Sequence, residues 1–302
     1  MIRVQGCVVS PYTFIIFELI LGPFHISLGK LKTMDVLKRN NVQIFGNGPE
    51  VIMFAHGFGC DQGMWRYITP AFEKEYQIVL FDYVGCGKSD IGKYAEARYG
   101  SLEGYALDII EICQELKLKD VILVAHSVSS MIGMLASIRE PHLFKSLVLV
   151  CPSPCYINKP GYYGGFEEKD LEDLMDVMDN NYVGWASFLA PVVMKNSDKP
   201  ELTKELETSF CSMDKEITAN FARVTFFSDN RADLKKVLVP SLILQCAEDD
   251  IASKEVGQYV HRELKESEIS YMEATGHCPH MSHPDETIKC IQEYLETQDC
   301  LK

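Results

Sequence analysis

The stretch Val121-Ile-Leu-Val-Ala-His-Ser-Val-Ser-Ser-Met-Ile-Gly133 decides the fold, because an apolar run typical of a buried strand stops abruptly at a serine. A helical pattern follows directly. Ala125 and Ser129, two positions to either side of Ser127, are both small, as a very tight strand-to-helix turn requires. Such a turn lifts the Ser127 hydroxyl above the end of the sheet, where a histidine can reach it. The stretch therefore predicts a nucleophile elbow, which needs support from the rest of the chain.

The composition is that of a globular protein, with 47% hydrophobic and 24% charged residues among 302. The net charge of −14, with no cluster of Lys and Arg along a helix face, argues against nucleic-acid and anionic-membrane partners. The 11 cysteines are odd in number and contain no CxxC pair. They predict free thiols in a reducing compartment, and therefore a cytoplasmic location.

Residues 1–33 form an N-terminal extension that differs from the remainder. Tyr12–Leu28 is largely apolar, but its uninterrupted pieces are too short to cross a bilayer. A signal peptide is disfavoured, since Arg3 is the only early basic residue and no Ala-x-Ala site follows. A targeting segment and an appended leader before a start at Met34 remain as alternatives. We assign the folded domain to 34–302.

Seven short apolar runs predict strands, and helical patterns lie between most of them. The strands are Val42–Phe45, Val51–Ala55, Gln77–Phe81, Val121–Ala125, Ser146–Val150, Ser241–Cys246 and Ile269–Met272. The helical patterns are Met64–Phe72, Leu102–Leu116, Val128–Arg139, Glu255–Leu264 and Asp285–Leu295. This alternation predicts an α/β protein whose mostly parallel central sheet has helices on both faces.

The stretch from about 153 to 231 breaks the alternation, because its pattern is helical almost throughout. An insertion of this kind predicts a helical cap over the carboxyl ends of the strands, where open α/β sheets bind ligands. The cap is rich in aromatic residues, which predicts an apolar pocket above the serine. We expect Phe58, Trp185 and Phe188 to line it. Glu167–Asp179 reads as an amphipathic cap helix, whose charged face is either solvated or a protein-docking surface.

His56-Gly-Phe-Gly59 directly follows a predicted strand. Glycines let the backbone turn sharply and aim an N–H group into a site above the sheet. Acyl transfer needs two such donors where negative charge develops on the carbonyl oxygen. We expect the amides of Phe58 and Val128 to form this oxyanion hole. An ordinary glycine-rich turn is the alternative interpretation.

Three carboxylates, Glu248, Asp249 and Asp250, follow another predicted strand. A carboxylate here, between the serine and the histidine in chain order, is expected to orient the histidine. We choose Asp249 and keep the other two as alternatives. His277, behind Gly276, follows the last strand and is the expected general base, which takes the serine proton and later gives it to the leaving group.

Two further patterns suggest other chemistry and are set aside. Cys278, His280 and His283 are residues of types that can bind a metal ion. The prolines between and after them break the helical spacing that such a site normally uses. We therefore expect no metal, and structural roles for both histidines.

Gly85-Cys-Gly-Lys-Ser89 ends like a phosphate-binding loop, but Asp82 stands where that loop requires a glycine. We expect no cofactor.

Together these motifs resemble the α/β-hydrolase fold family, and the chain order Ser127, Asp249, His277 is that of the family. Further stretches are similar to the RsbQ-like hydrolases, which regulate the general-stress sigma factor of bacteria and are related to plant strigolactone and karrikin receptors. Those stretches are Gly57–Gln62, Val79–Gly85, His126–Val128, Pro152–Tyr156, Tyr162–Glu167, Phe226–Asp229 and Gly276–Asp285. The resemblance covers about 34 to 295, with Ser129 in place of the usual glycine and Ser253 in place of the usual proline.

The resemblance implies an α/β-hydrolase fold with a four-helix cap over a small apolar pocket. It implies a serine hydrolase that acts on a small hydrophobic ester or lactone. It also implies a positive regulator of stress signalling, with a PAS-domain serine phosphatase as its partner. The alternatives are a metabolic carboxylesterase or lactonase, and a ligand receptor with vestigial catalysis. The intact triad favours a catalyst, and the regulator-like cap favours signalling.

Overall fold

The structure is a computed structural model that describes the chain from residue 35 to residue 300. The predicted N-terminal extension, residues 1–33, lies outside the described residues. Within residues 35–300, no helix combines the length and the apolar character needed to cross a membrane. Nine cysteines of this range are free thiols, most of them buried.

A seven-stranded sheet runs through the protein in the order β1-β3-β2-β4-β5-β6-β7. Its strands are β1 Gln43–Phe45, β2 Glu50–Ala55, β3 Tyr76–Leu80, β4 Val121–His126, β5 Phe144–Val150, β6 Ser241–Glu248 and β7 Ser267–Thr275. Neighbouring strands are parallel, except that β1 pairs with β3 in the antiparallel sense. Each of the seven apolar runs overlaps one of these strands, so the predicted mostly parallel sheet is confirmed.

Helices cover both faces of the sheet. The α-helices are α1 Glu96–Tyr99, α2 Leu102–Glu115, α3 Val128–Arg139, α4 Glu168–Asn180, α5 Tyr182–Met194, α6 Pro200–Ser212, α7 Lys215–Phe226, α8 Lys254–Glu263, α9 Pro279–Ser282 and α10 Pro284–Cys300. Residues 35–39 are also helical. Short 3-10 helices lie at Gln62–Tyr67, Thr69–Ala71, Ile91–Lys93, Pro141–Leu143 and Leu234–Lys236.

One predicted helix is wrong in kind. The segment Met64–Phe72 forms two separate 3-10 helices, Gln62–Tyr67 and Thr69–Ala71, in place of one continuous helix. Pro70 explains the break, because it has no N–H to donate to the preceding turn and disfavours helical geometry in the residue before it.

The central strands are buried on both faces, and their alternating side chains supply two apolar cores. On β4, Ile122 and Val124 enter one core, while Leu123 and Ala125 enter the other. The second core lies under α2 and α3, which pack against each other. The first core continues into α10 and into the cap. Cap and sheet therefore share one apolar interior, and burial of its surface holds them together.

The cap consists of α4 to α7. Helix α5 packs against α4 and α6, and α4 packs against α7. The two ends of the insertion close on each other, because Cys155 and Asp229 form a β-bridge and the Asn230 N–H donates to the Pro154 carbonyl at 2.8 Å. The insertion thus leaves the sheet and returns to it at one place.

The strand order brings distant parts of the chain to one edge. Parallel strands end at the same side of a sheet, and β4 lies near its centre, between β2 and β5. Phe58 follows β2, Ser127 follows β4, Asp249 follows β6 and His277 follows β7. The predicted oxyanion loop and the acid–base pair therefore lie on opposite sides of the serine.

Candidate active site

Ser127 sits at the turn between β4 and α3 in a strained backbone conformation. Its φ of 57° and ψ of −123° lie in a region that residues with a side chain rarely adopt. The Ser127 N–H donates to the Val150 carbonyl at 2.8 Å, which fixes the turn to the neighbouring strand. This is the geometry of a nucleophile elbow.

Ser129 shows why the elbow tolerates a residue larger than glycine. Its side chain is fully buried, and its hydroxyl donates to the His56 carbonyl. The same hydroxyl lies 3.0 Å from the Tyr83 hydroxyl. The departure from glycine therefore adds a link between the elbow and the loop after β2.

The serine, the histidine and the aspartate form one hydrogen-bonded chain. The Ser127 hydroxyl donates to His277 Nε2 at 2.7 Å, and His277 Nδ1 donates to Asp249 Oδ2, also at 2.7 Å. All three side chains are buried. With its proton on Nδ1, the ring offers the Nε2 lone pair to the hydroxyl, which is the arrangement a general base needs.

The structure distinguishes Asp249 from its two neighbours. Asp249 Oδ1 accepts the N–H groups of Ile251 and Ala252, at 2.8 and 3.0 Å, which leaves Oδ2 for the histidine. Glu248 and Asp250 point outward and pair with Lys195, at 3.2 and 2.9 Å. Side chains alternate between the two sides of an extended segment, so only the middle carboxylate faces inward.

The pair of His277 and Asp249 shifts both pKa values. Burial by itself would lower the pKa of His277, but the charge of Asp249 and the hydrogen bond to it outweigh burial and raise it. Burial would raise the pKa of Asp249, but the charge and hydrogen bond of His277 and two backbone N–H donors lower it. Asp249 therefore stabilises the imidazolium that forms when His277 accepts the serine proton.

The loop that carries His277 is attached to the cap. Gly276 has a φ of +84°, and a Cβ at this position would lie 2.1 Å from the Met194 carbonyl oxygen. Only glycine permits this approach. The His277 N–H donates at 2.8 Å to the carbonyl of Val193, near the end of α5. A movement of α5 would therefore shift the loop that carries the general base.

The two predicted oxyanion donors flank the serine. Val128 is the first residue of α3, so its N–H has no partner within the helix. Phe58 follows Gly57, whose missing side chain lets the loop approach the elbow, because a Cβ there would lie 2.4 Å from His126 Nδ1. Phe58 and Ser127 line the same cavity. The assignment of these two amides stays a prediction.

A small cavity lies directly above the serine. Its volume is about 30 Å³, enough for roughly one water molecule. Its walls, apart from the catalytic serine and histidine, are mainly apolar. They are Phe58, Cys60, His126, Tyr156, Leu189, Val193, Leu206, Phe210, Thr225, Phe226, Ile251 and Cys278. The cap side chains therefore leave little free space above the serine.

An open apolar groove of about 590 Å³ lies on the outside of the cap, along α4 and α5. Leu189, Phe226 and Ile251 line both this groove and the inner cavity. A wall one side chain thick therefore separates the outer groove from the catalytic serine.

Two of the three predicted lining residues lie elsewhere. Phe188 is 62% exposed and lines the outer groove, so its placement in the pocket is wrong. The inner face of α5 carries Trp185, Leu189 and Val193 at the helical spacing of four, and Phe188 falls beside that face. Trp185 is fully buried but lies behind the cavity wall, with its ring 6.2 Å from that of Phe58.

Sequence reasoning missed several lining residues. The Tyr156 hydroxyl is within hydrogen-bonding reach of Ser127, and its ring packs on Phe226 at 5.2 Å. Tyr156 lies near the start of the cap segment, among many other aromatic residues. Nothing in its local pattern distinguishes it from those that only pack.

The residues set aside as decoys also have defined places. Asp82 accepts the N–H groups of Gln62 and Lys88, both at 2.9 Å, and therefore organises the turn that resembles a phosphate loop. His283 pairs with the Ser282 hydroxyl at 2.9 Å. His280 packs between Trp65 and His126, at ring distances of 4.6 and 4.4 Å, and makes no bond to backbone within the described residues.

The family model described as "Alpha/beta hydrolase family" matches residues 52–289, which is most of the chain. The chain belongs to the alpha/beta hydrolase family. Its predicted fold class is thereby confirmed, and so is its prediction as a serine hydrolase. The Ser–His–Asp geometry described above agrees with membership of this family.

Individual proteins agree with this assignment. This hydrolase is 38% identical over 263 residues to a probable esterase of Oryza sativa subsp. japonica, covering 86% of this chain and 97% of that one. It is 38% identical to "Karrikin insensitive 2 receptor CA" of Petunia hybrida over 261 residues, with the same coverage. The solved structure of a hydrolase from Oleispira antarctica is 45% identical, has a TM-score of 0.86, and covers 87% of this chain and 97% of its own.

These comparisons establish homology to plant proteins named as a karrikin insensitive 2 receptor and a strigolactone esterase. They do not distinguish the RsbQ-like branch from the rest of the family, so that closer resemblance stays a prediction.

Proposed function

We propose that this hydrolase cleaves a small apolar ester or lactone through an acyl-enzyme on Ser127. The observation that carries the proposal is the chain of two 2.7 Å hydrogen bonds from Ser127 through His277 to Asp249, beneath an apolar cap. A water-excluding roof strengthens the interactions of the developing charges below it. A related esterase and a related hydrolase support the class of reaction.

The chemistry follows from the positions of the protons. His277 Nε2 accepts the Ser127 proton as Oγ attacks the substrate carbonyl, and the amides of Phe58 and Val128 hold the resulting oxyanion. The tetrahedral intermediate collapses when His277 returns the proton to the leaving alkoxide. A water molecule then attacks the acyl-enzyme, and His277 accepts its proton and passes it to Ser127 Oγ. The products are an acid and an alcohol, or a hydroxy acid from a lactone.

The cap sets the size and polarity of the substrate. A cavity of about 30 Å³ cannot hold even a small ester, so the cap must open or its side chains must move before catalysis. Leu189, Phe226 and Ile251 separate the cavity from the outer apolar groove. We therefore expect an apolar substrate to enter through this wall, and a strongly charged one to be excluded by the cost of its desolvation.

A regulatory role is the second part of the proposal. A relative named as a receptor, with 38% identity and nearly full coverage, supports a link between ligand binding and signalling. The hydrogen bond from His277 to the Val193 carbonyl connects the catalytic loop to α5 of the cap. A stress-signalling role in the cytoplasm with a PAS-domain serine phosphatase stays a prediction from the resemblance. Affinity purification with the tagged protein is its direct test.

Covalent labelling tests the catalytic part. A fluorophosphonate probe should modify the native protein at Ser127, as mass spectrometry of the labelled peptide would show. Ser127→Ala should abolish labelling and lower the hydrolysis of p-nitrophenyl acetate by about 10⁴–10⁶-fold. Ser137→Ala, on the same helix and away from the cavity, is the matched control. Labelling at another serine, or activity that survives in Ser127→Ala, would contradict the proposal.

The same variant separates the three functional alternatives in the organism that carries the gene. A signalling hydrolase loses both hydrolysis and signalling in Ser127→Ala. A receptor with vestigial catalysis keeps signalling while hydrolysis disappears. A purely metabolic esterase leaves signalling unchanged even when the whole gene is deleted.

A further inference from the structure

A cluster of three potential metal ligands lies beside the catalytic serine. His126 is the residue before Ser127, while Cys278 and His280 follow the general base in sequence. One donor atom of each lies within 4.8 Å of the other two. All three side chains are at least 98% buried. The triad uses none of them.

The ring nitrogens of this cluster lack partners. Within the described residues, His126 Nδ1 and both ring nitrogens of His280 make no hydrogen bond. A buried polar atom without a partner destabilises the folded state, and three in one place call for an explanation. The two rings lie against each other, with centroids 4.4 Å apart.

The remaining contact of His126 assigns its proton. His126 Nε2 lies 2.7 Å from the His277 carbonyl oxygen, which can only accept, so Nε2 carries the proton. Nδ1 therefore carries a lone pair that no described residue uses. A histidine that ligates a metal typically donates its other N–H to a carbonyl or carboxylate in this manner.

We propose that His126 Nδ1, Cys278 Sγ and one ring nitrogen of His280 bind a zinc ion. Two imidazoles and a thiolate are a donor set that zinc prefers, and three protein ligands leave one position open. The Zn–S bond forms as Cys278 loses its proton to water. Prolines around His280 do not exclude the site, because the third donor comes from the elbow and not from a helical repeat.

The site borders the catalytic cavity. His126 and Cys278 both line the small cavity that also contains Ser127 and His277. When the cap opens for substrate, an ion can therefore reach the cluster through the same cavity. We expect bound zinc to compete with substrate, which makes the cluster an inhibitory site. Metal binding itself does not depend on which ester the protein cleaves.

Equilibrium dialysis of the full-length protein against Zn²⁺ is the first test, after treatment with a chelator. We expect one tightly bound zinc per chain in the wild type. Cys278→Ser keeps the shape of the side chain and removes the thiolate, so it should weaken binding at least about tenfold. Cys60→Ser removes a thiol from the same cavity wall but outside the cluster, and should bind zinc as the wild type does.

A second cluster provides the decisive comparison. Cys151, Asp249 and His277 also bring three donor atoms within 4.8 Å of one another. If Cys151→Ser loses zinc while Cys278→Ser retains it, the metal binds at the triad and the proposal is wrong. Failure of the wild type to bind zinc above the level of the double variant Cys278→Ser/His280→Gln would also overturn it.

A spectroscopic readout avoids dependence on the folding of variants. Co²⁺ added to the wild-type protein should produce a thiolate-to-cobalt charge-transfer band in the near ultraviolet, and Zn²⁺ should remove it. Labelling of Ser127 by a fluorophosphonate without metal reports the catalytic proposal separately. Normal labelling without the cobalt band would overturn the zinc site and leave the hydrolase intact.

Discussion

The carboxyl edge of the sheet and the cap above it are built in different ways. At the sheet edge, short loops after β4, β6 and β7 place three polar side chains in a chain of 2.7 Å hydrogen bonds. In the cap, four helices pack aromatic and aliphatic side chains around a cavity of about 30 Å³. Backbone geometry specifies the first region, and side-chain packing specifies the second.

The difference separates chemistry from access. A change at the sheet edge should alter the rate of bond breaking, because it moves a proton donor or acceptor. A change inside the cap should alter stability and the size of substrate, because it changes packed volume. A change on the outer face of the cap should alter neither.

Next to the loss of Ser127 itself, the largest effect is expected for Asp249→Asn at the sheet edge. The amide cannot hold the Nδ1 proton of His277 as the carboxylate does, so kcat for ester hydrolysis should fall about 10⁴-fold. Activity requires neutral His277 and rises with pH through its pKa, which Asp249 raises. The remaining activity should therefore rise at a lower pH than in the wild type. A pH–rate profile measures both changes.

Asp250→Asn is the matched control for this experiment. Asp250 is exposed and pairs with Lys195, so its loss should change kcat by less than about twofold. A larger loss in Asp250→Asn than in Asp249→Asn would mean that the orienting carboxylate has been assigned incorrectly.

Inside the cap, Phe210→Ala should cost about 3–5 kcal/mol of the free energy of unfolding. Phe210 is 1% exposed, lines the cavity and contacts both Phe58 and Trp185. Urea denaturation measures the loss. The enlarged cavity should also favour longer acyl chains, as a series of p-nitrophenyl esters would show. An unchanged chain-length preference would indicate that the closed cavity is not where the acyl group binds.

The buried histidines near the active site should make the protein sensitive to acid. Burial lowers the pKa values of His56, His126 and His280, so these side chains bind protons readily only after unfolding. Stability should therefore fall as the pH drops below about 6.5.

The expected size of this effect follows from four histidines. Each of the three with a lowered pKa removes at most about 1.4 kcal/mol between pH 7.5 and 5.5. His277 acts in the opposite direction, because Asp249 raises its pKa and the folded protein therefore binds this proton more readily than the unfolded chain does. The net result is a loss of stability, which urea denaturation at the two pH values measures in the presence of a chelator. Equal stability at both would show that these histidines exchange protons in the folded protein.

The smallest effect is expected for Phe188→Ala on the outer face of the cap. This ring is 62% exposed, so its removal should change the free energy of unfolding by less than about 0.5 kcal/mol. It should also leave the hydrolysis of p-nitrophenyl acetate unchanged, since the ring lies outside the cavity. Compared with Phe210→Ala, it tests whether inner and outer aromatic residues differ as the structure indicates.

The sheet and the triad could be predicted because their signals are local. A fully buried strand leaves a continuous apolar run, and a tight turn restricts the residues around Ser127 to small ones. The chain order of serine, aspartate and histidine then limits the choice to a few candidates. Between Asp249 and its neighbours, the deciding factor is the direction of alternate side chains, which the structure shows.

The sequence predicts where the cap lies along the chain, but not which faces of its helices are buried. Helix α5, Tyr182–Met194, is apolar almost all round, so its pattern does not indicate which side is buried. The face with Leu189 and Val193 points inward because α4 and α6 cover its flanks. Phe188 was predicted to line the pocket because the sequence does not show how α4 and α6 pack around α5.

The cluster of His126, Cys278 and His280 lies between these extremes. His126 lies about 150 positions from the other two in the sequence, and the spacing around Cys278 and His280 argued against a metal site. Only the arrangement of the loops after β4 and β7 brings their donor atoms together.

The amino-acid sequence alone determined the strands, the strained turn at the nucleophile and the residue types that a serine hydrolase needs, because each depends on neighbours within a few positions. Tertiary structure decided which side chains enclose the cavity, which carboxylate reaches the histidine and which buried nitrogens meet a thiol. Those outcomes depend on how helices and loops from distant parts of the chain pack, and no local pattern encodes the contacts that result.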